Sequence, residues 1–354
     1  NVAGNTQLHH SAQAGDLAQL QTLLDERVDP GKKRVDPGKK NNKGQTALHC
    51  AVENGHLEIV KALLANPTSM PNEGDKNGRT SLSHAVENGP LEIVEALLHH
   101  PSVEPDKADN NMRTPLSYVA EKGRFNPIEL WLEKGANPNL PDKHGLTPLD
   151  YAVTNGHRKA AETILQNKQI ELDLNLKGVD GKTILHRVVG NKHPEITALL
   201  LAQGGIDPNI PNLEGLTPVA LAAQENNPSV LQALLKSQKV EVNKVDQKGN
   251  TPLHHAVGKN HPEIIALLLK QEDRIDPNIP NSEGLTPVNL AVQKNSASAL
   301  TALLESRKVE INKADQKGNT PLHHAVEKDH PGIIRLLLAQ RSRIDPNLQN
   351  SEGL

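Results

Sequence analysis

The stretch Asp246-Gln-Lys-Gly-Asn-Thr-Pro-Leu-His-His-Ala-Val257 decides the fold, because it returns letter for letter at Asp315 to Val326, 69 residues later. Looser copies of its centre start at Thr6, Thr46, Thr80, Thr114, Thr147, Thr183, Thr217, Thr251, Thr286 and Thr320, with gaps of 40, 34, 34, 33, 36, 34, 34, 35 and 34 residues. A fixed period in this range marks stacked supersecondary units that pack only on their neighbours, not one closed globule. Function is then expected on the surface such a stack presents.

Counting from each threonine as slot zero, the pattern has a physical reading. The hydroxyl suits the cap of a helix whose first N–H groups lack partners, and the Pro that often follows suits the first helical position. Slot two is Leu or Val and slot five is small in most repeats, so one apolar face forms and helices approach closely. A second helical pattern follows, as in Leu57, Val60, Leu63 and Leu64, with Pro90, Pro194, Pro262 and Pro331 near its start in several copies. Segments such as Ile275-Asp-Pro-Asn-Ile-Pro-Asn-Ser-Glu-Gly284 read as turns and a short hairpin. Gly stands two places before the threonine in every repeat except at Met112.

Gly-x-Thr-Pro-Leu-His-x-Ala, two helices and a hairpin loop make the chain resemble the ankyrin repeat proteins along its whole length. The resemblance implies an all-α solenoid of about ten helix-turn-helix units with hairpin fingers, and binding of other proteins through those fingers and the concave helix face. It also implies that the slot-three histidines His9, His49, His186, His254 and His323 brace the hairpins by hydrogen bonds.

Composition excludes several classes. The net charge of −3 leaves no overall basic field for nucleic acid or anionic lipid, and no apolar run reaches the length of a membrane span. With Cys50 as the only cysteine, no internal disulfide forms, and a reducing, cytoplasmic setting is expected, or a host cytoplasm if the chain is a delivered bacterial effector. Aromatics are 1% of residues, so Leu, Ile, Val and Ala build the core.

Taken in order, the first repeat has a polar second helix, interrupted by Gln13, Gln19 and Gln21, that suits a terminal cap. Arg27 to Lys33 is duplicated at Arg34 to Lys40, which accounts for the 40-residue gap and predicts an extended surface loop. Repeats four and five hold every aromatic residue. Phe125 and Trp131 fall in apolar slots and are expected in the core, whereas Tyr118 and Tyr151 occupy slot four, which accepts Arg, His and Leu elsewhere and is expected to face the concave surface. Slot nine is Gly15, Gly55, Gly89, Gly123 and Gly156, then Lys192, Asn226, Asn260, Asn295 and Asp329, where a left-handed turn residue is expected and Lys192 fits poorly.

A seam is therefore expected in a single array spanning 1–354, between repeats one to five (about 1–175) and six to ten (about 176–350), the latter built on the doubled 69-residue period. In the second half Leu216 and Leu285 alternate with Asn250 and Asn319 just before the threonine, and Leu146 and Leu354 share that slot. They form either an apolar ladder for a partner or simple packing between fingers. The second helix of repeat ten, Ile333 to Leu338, lacks a polar outer side, so continuation of the natural chain is expected. A monomer is expected unless that end self-associates.

Enzyme motifs fail on spacing. Gly178-Val-Asp-Gly-Lys-Thr183 is two residues short of a phosphate loop, and Asp173 to Gly178 has Lys177 where a calcium ligand belongs. Most of the 17 histidines fall in repeat slots, and neighbours such as His254 and His255 point about 100° apart on a helix. No catalytic residue, cofactor or metal site is expected. The expected function is a scaffold that binds another protein. The alternative is a targeting module for an enzyme or effector whose catalytic domain lies outside the chain. The candidate contact residues are Arg79, Arg113, Tyr118, Lys143, His144, Leu146 and Tyr151, with Leu216 and Leu285, because Tyr and Arg are enriched where interfaces concentrate their energy.

Overall fold

The computed structural model describes residues 4–25, 35–168 and 170–353, with the side chains of residues 88, 125 and 127 left aside. The core expectation for Phe125, most of the duplicated segment and Leu354 therefore lie outside the described residues. The chain divides into two compact parts, Asn1–Asp173 and Leu174–Leu354.

The first part is a solenoid of five helix-turn-helix repeats: Gln7–Ala14 with Leu17–Asp25, Ala47–Glu53 with Leu57–Leu64, Ser81–Asn88 with Leu91–His99, Pro115–Glu121 with Phe125–Glu133, and Pro148–Thr154 with Arg158–Gln166. The second part repeats the plan: Ile184–Asn191 with Pro194–Leu201, Pro218–Gln224 with Pro228–Leu235, Pro252–Gly258 with Pro262–Leu269, Pro287–Gln293 with Ala297–Leu304, and Pro321–Glu327 with Pro331–Leu338. Among the described residues no strand forms. The fingers are turns closed by a backbone pair such as Asp75 N–H to the Arg79 carbonyl at 2.9 Å, with one isolated bridge between Gly74 and Thr80. They are too short to propagate a ladder.

The helices start where the cap chemistry dictates. The Thr6, Thr80, Thr147, Thr217, Thr251, Thr286 and Thr320 hydroxyls accept the N–H three residues on, satisfying one of the otherwise orphaned first-turn donors. Leu253, Ala256, Val257, Ile264, Ile265 and Leu268 in repeat eight are all fully buried. A Leu-to-Ala change at such a site costs about 2–5 kcal/mol through lost transfer energy and the cavity left behind. Trp131 is fully buried, as its apolar slot predicts, and in the helix Leu17–Asp25 only Leu20 is buried. Gln13 belongs to the helix before it, not to that second helix.

Two positions need left-handed backbone. Two places before the threonine, Gly44, Gly78, Gly215 and Gly249 have φ from 73° to 81°, and a side chain there would meet the next finger's backbone at 2.6 to 2.9 Å. Both facts demand glycine. Met112 takes the same conformation at φ 60° without that freedom. Slot nine is left-handed at Gly15, Gly55, Gly123, Gly156, Lys192, Asn226, Asn260, Asn295 and Asp329, as predicted. Gly89 departs from this, with φ −79° and ψ 153°. Its neighbour Pro90 disfavours the helical regions for the preceding residue and drives it extended.

Within each part, polar straps tie neighbouring outer loops together. In the outer loops Asn72, Asn139, Asn175, Asn209, Asn243, Asn278 and Asn312 each donate to a carbonyl and accept from an N–H of the following loop, as Asn278 does with Lys308 and Glu310 at 2.8 Å. Asp106 occupies that slot in repeat four and only accepts, from Asn137 N–H. Arg274 and Arg343 each donate to three carbonyls of the preceding repeat, which compensates the guanidinium for lost water.

Candidate protein-interaction surface

The fingers are built from one recurring side chain. From repeat two onward, except in repeat six with its Gly178, an Asp or Asn five places before the threonine uses Oδ1 to accept two N–H groups of its own turn. Asp75 takes those of Asn77 and Arg79 at 2.8 and 3.0 Å, and Asn212 takes those of Glu214 and Leu216 at 3.0 and 2.9 Å. Such turns fix a loop without a strand. Neighbouring fingers are then joined by backbone bonds: Lys76 N–H to the Lys43 carbonyl, Asn110 to Asn77, Lys143 to Asn111, Ser282 to Lys248 and Ser351 to Lys317, all at 2.9 to 3.1 Å.

The second oxygen of each Asp decides what stands at slot four. Tyr118 donates its hydroxyl to Asp109 Oδ2 and Tyr151 to Asp142 Oδ2, both at 2.7 Å. His84, His255 and His324 meet Asp75, Asp246 and Asp315 at 2.9 to 3.0 Å. Where the finger carries Asn41, Asn212 or Asn281, slot four is Cys50, Leu221 or Leu290. An amide leaves N–H where the carboxylate leaves an acceptor, which suits a slot-four donor to Asp in these repeats; repeat six has Gly178 at the finger position, and its Arg187 pairs with Asp180 instead. This pairing was missed in the sequence, although the covariation between the two slots is visible there.

Slot-three histidines brace the fingers forward, as the resemblance implied. Nε2 of His9, His49, His186 and His254 donates to the carbonyls of Gln45, Arg79, Leu216 and Leu285 at 2.9 to 3.0 Å. The matching residue for His323 is Leu354, outside the described residues. In His49 Nδ1 accepts the Thr46 N–H at 3.2 Å, so the ring is neutral with its proton on Nε2. Burial pushes the His49 and His186 pKa values down to about 4. Histidines before the second helix strap the other way. His56, His157, His261 and His330 reach carbonyls of Gln13, Glu121, Ala223 and Val292 at 2.8 to 3.1 Å.

The structure brings Arg79, Tyr118, Arg113 and Tyr151 together in one alternating stack. The Arg113 guanidinium carbon lies 3.9 Å from the Tyr118 ring centre and 4.0 Å from that of Tyr151, and Arg79 lies 5.1 Å from Tyr118. Each such contact contributes about 0.5–2 kcal/mol according to its desolvation. Arg113 donates to Glu121 at 2.6 Å. Arg79 Nη2 lies 2.7 Å from Glu87, close enough for an ion pair but angled outside hydrogen-bond geometry.

Three expectations are corrected here. Slot four is not a generally exposed position: Tyr118 is 8% exposed, Leu221 6% and Cys50 fully buried. Tyr118 is therefore spent on internal structure. Burial raises its pKa to about 12, with the Asp109 hydrogen bond adding to the effect. Tyr151 is half-buried and its hydroxyl is engaged by Asp142. Leu216 and Leu285 are 2% and 8% exposed, so no apolar ladder is offered at that slot. Their carbonyls accept from His186 and His254. Leu146 is half-buried, and only Lys143 and His144 of the candidate residues are exposed, at a finger tip beside Lys76, Asn77, Asn110 and Asn111. Cys50 is held as a thiol by burial, which pushes its pKa up to about 11.

Stacked helix pairs carrying turn-built fingers define a solenoid of helix-turn-helix repeats. A family profile described as "Ankyrin repeats (3 copies)" matches residues 8–109, 100–177, 168–246, 185–281, 220–315 and 273–350, and the chain belongs to that family. Ankyrin repeats are in general protein–protein interaction modules. Among curated proteins, SMC5-SMC6 complex localization factor protein 1 of Bos taurus and of Homo sapiens each match at 44% identity over 71 residues, 20% of this chain. The chain covers only 6% of the length of those relatives. The crystal structure of the ankyrin repeat domain of Bcl-3, described as a unique member of the IkappaB protein family, is similar with a TM-score of 0.56 and 24% identity. That match covers 74% of this chain and 100% of that one, and at this identity it bears on the fold alone. Among the described residues, no helix is long and apolar enough to cross a membrane.

Proposed function

We propose that the chain is a scaffold that binds another protein through the finger tips of repeats two to five, centred on Lys76, Lys143 and His144. The observation that carries this reading is the division of labour in the fingers. Their backbones and slot-four side chains are locked by internal hydrogen bonds, while the tip side chains stand in water. A pre-ordered surface loses little entropy on binding. Tyr118 is buried below the tips, and Arg79, Arg113, Leu146 and Tyr151 are half-buried beside them. A buried free thiol at Cys50 suits a reducing compartment such as the cytoplasm.

A second reading is favoured by the curated relatives, in which the matching segment is a small fraction of a long protein. On that reading the array directs a larger enzyme or effector to its substrate.

The test is affinity capture from eukaryotic lysate by the 354-residue chain and by a Lys76→Glu, Lys143→Glu, His144→Glu variant, both checked by circular dichroism. A partner held by the parent and lost by the variant supports the tips as the contact. Equal capture by both removes them from the interface, and capture of nothing by either refutes the scaffold reading.

A further inference from the structure

Between the helix pairs of repeats three and four lies a cavity of about 310 Å³ lined by Val86, Leu91, Val94, Val119, Arg124 and Trp131, among others. Its apolar floor is made by Val86, Val94, Val119 and Trp131, all 3% exposed or less, and Leu91 stands at the rim with 40% exposure. Trp131 fills a slot held by Leu63, Leu97, Leu200, Leu234, Leu268, Leu303 and Leu337 in other repeats. Unlike leucine it brings a donor, and its indole N–H is buried with no hydrogen-bond partner. A buried donor without an acceptor carries an uncompensated desolvation cost, and native interiors seldom leave one.

We propose that this cavity binds a small apolar monocarboxylate. The walls take a hydrocarbon body, and the indole N–H supplies a donor for a carboxylate oxygen. Arg124, exposed beside the cavity, supplies the charge. Its Nη1 donates to the Gly89 carbonyl at 3.3 Å, and a guanidinium has further donors in the same plane. An engineered cavity of about 150 Å³ holds benzene, so one roughly twice that size suits a chain of about eight carbons. This site is independent of the finger tips, so a protein partner there and a carboxylate here stand or fall separately.

Trp131 is the single tryptophan of the chain, so its fluorescence reports on this cavity alone. The experiment titrates the full chain with 2-bromooctanoate, whose bromine sits beside the carboxylate and quenches indole on contact, and in parallel with 2-bromooctan-1-ol. The expected result is saturable quenching by the carboxylate, weakened about tenfold in Arg124→Gln, with the alcohol unaffected by that substitution. Leu91→Phe narrows the rim and is expected to abolish saturation, with folding of each variant followed by circular dichroism. Quenching that rises linearly into the millimolar range, or that is identical in Arg124→Gln for the acid, overturns the proposal. Because Arg124 is exposed, that variant keeps the test valid even if Leu91→Phe perturbs the fold.

Discussion

Replacing Lys192 by glycine should stabilise the second part of the chain. Lys192 ends the helix Ile184–Asn191 at φ 60° and ψ 46°, in the left-handed region where a Cβ crowds the following carbonyl. That conformation costs a side-chain-bearing residue about 1–2 kcal/mol. The Lys192 side chain is exposed, so its removal forfeits little packing. Glycine gives back about 0.5–1 kcal/mol through its larger freedom in the unfolded chain. The balance is a gain of about 0.5–1 kcal/mol, or about 1–4 °C in midpoint for a part of this size. Asparagine, which repeats seven, eight and nine use at this slot, should give a smaller gain, and alanine none, because alanine keeps the Cβ. Arrays of repeats can unfold in stages, so thermal melts should be paired with hydrogen exchange at the Val188 and Val189 amides. If Lys192→Gly and Lys192→Ala behave alike, or if glycine lowers the midpoint, backbone strain at this turn is not the governing term.

Two further outcomes follow from named contacts. Asp106→Asn should restore the outer-loop strap that seven asparagines make elsewhere, adding about 1 kcal/mol from one new side-chain donor. Burial holds the Asp106 pKa above its ordinary value of 3.8, so its charged form opposes folding above that range. The benefit of Asp106→Asn should therefore be largest at neutral pH and shrink as pH falls towards 4, which denaturant titrations at pH 7 and pH 4 would read; an equal benefit at both excludes the charge. His49 and His186, held neutral with pKa values lowered to about 4 from 6.5, contribute stability that is complete above about pH 6.5 and is lost as pH falls from there to 4. Their ring C–H resonances should show no titration near pH 6.5, and a titration there would contradict the buried neutral tautomer.

The repeat period, the helix pairs, the caps and the left-handed slots were legible in the letters, because each depends on local geometry or on a spacing that recurs every 33 to 36 residues in most of the chain. Thr at slot zero caps wherever a helix follows it, and Gly two places earlier is demanded by its own φ. Even the exception at Gly89 is local, since Pro90 stands next to it. Burial at slot four was not legible in the same way. The list Arg, His, Leu, Tyr and Cys reads as an exposed position when each residue is taken alone, and only the tertiary structure shows the finger folding back over it to present either a carboxylate or an amide. Tyr118 thus became a strut, and Leu216 and Leu285 became buried rather than exposed, because burial depends on neighbouring repeats that the chain order does not show. The unpartnered indole of Trp131 is the same lesson in a different place. An apolar slot predicts that tryptophan will be buried, but whether its one N–H finds an acceptor depends on what the neighbouring repeat sets opposite it, a fact that exists only in three dimensions.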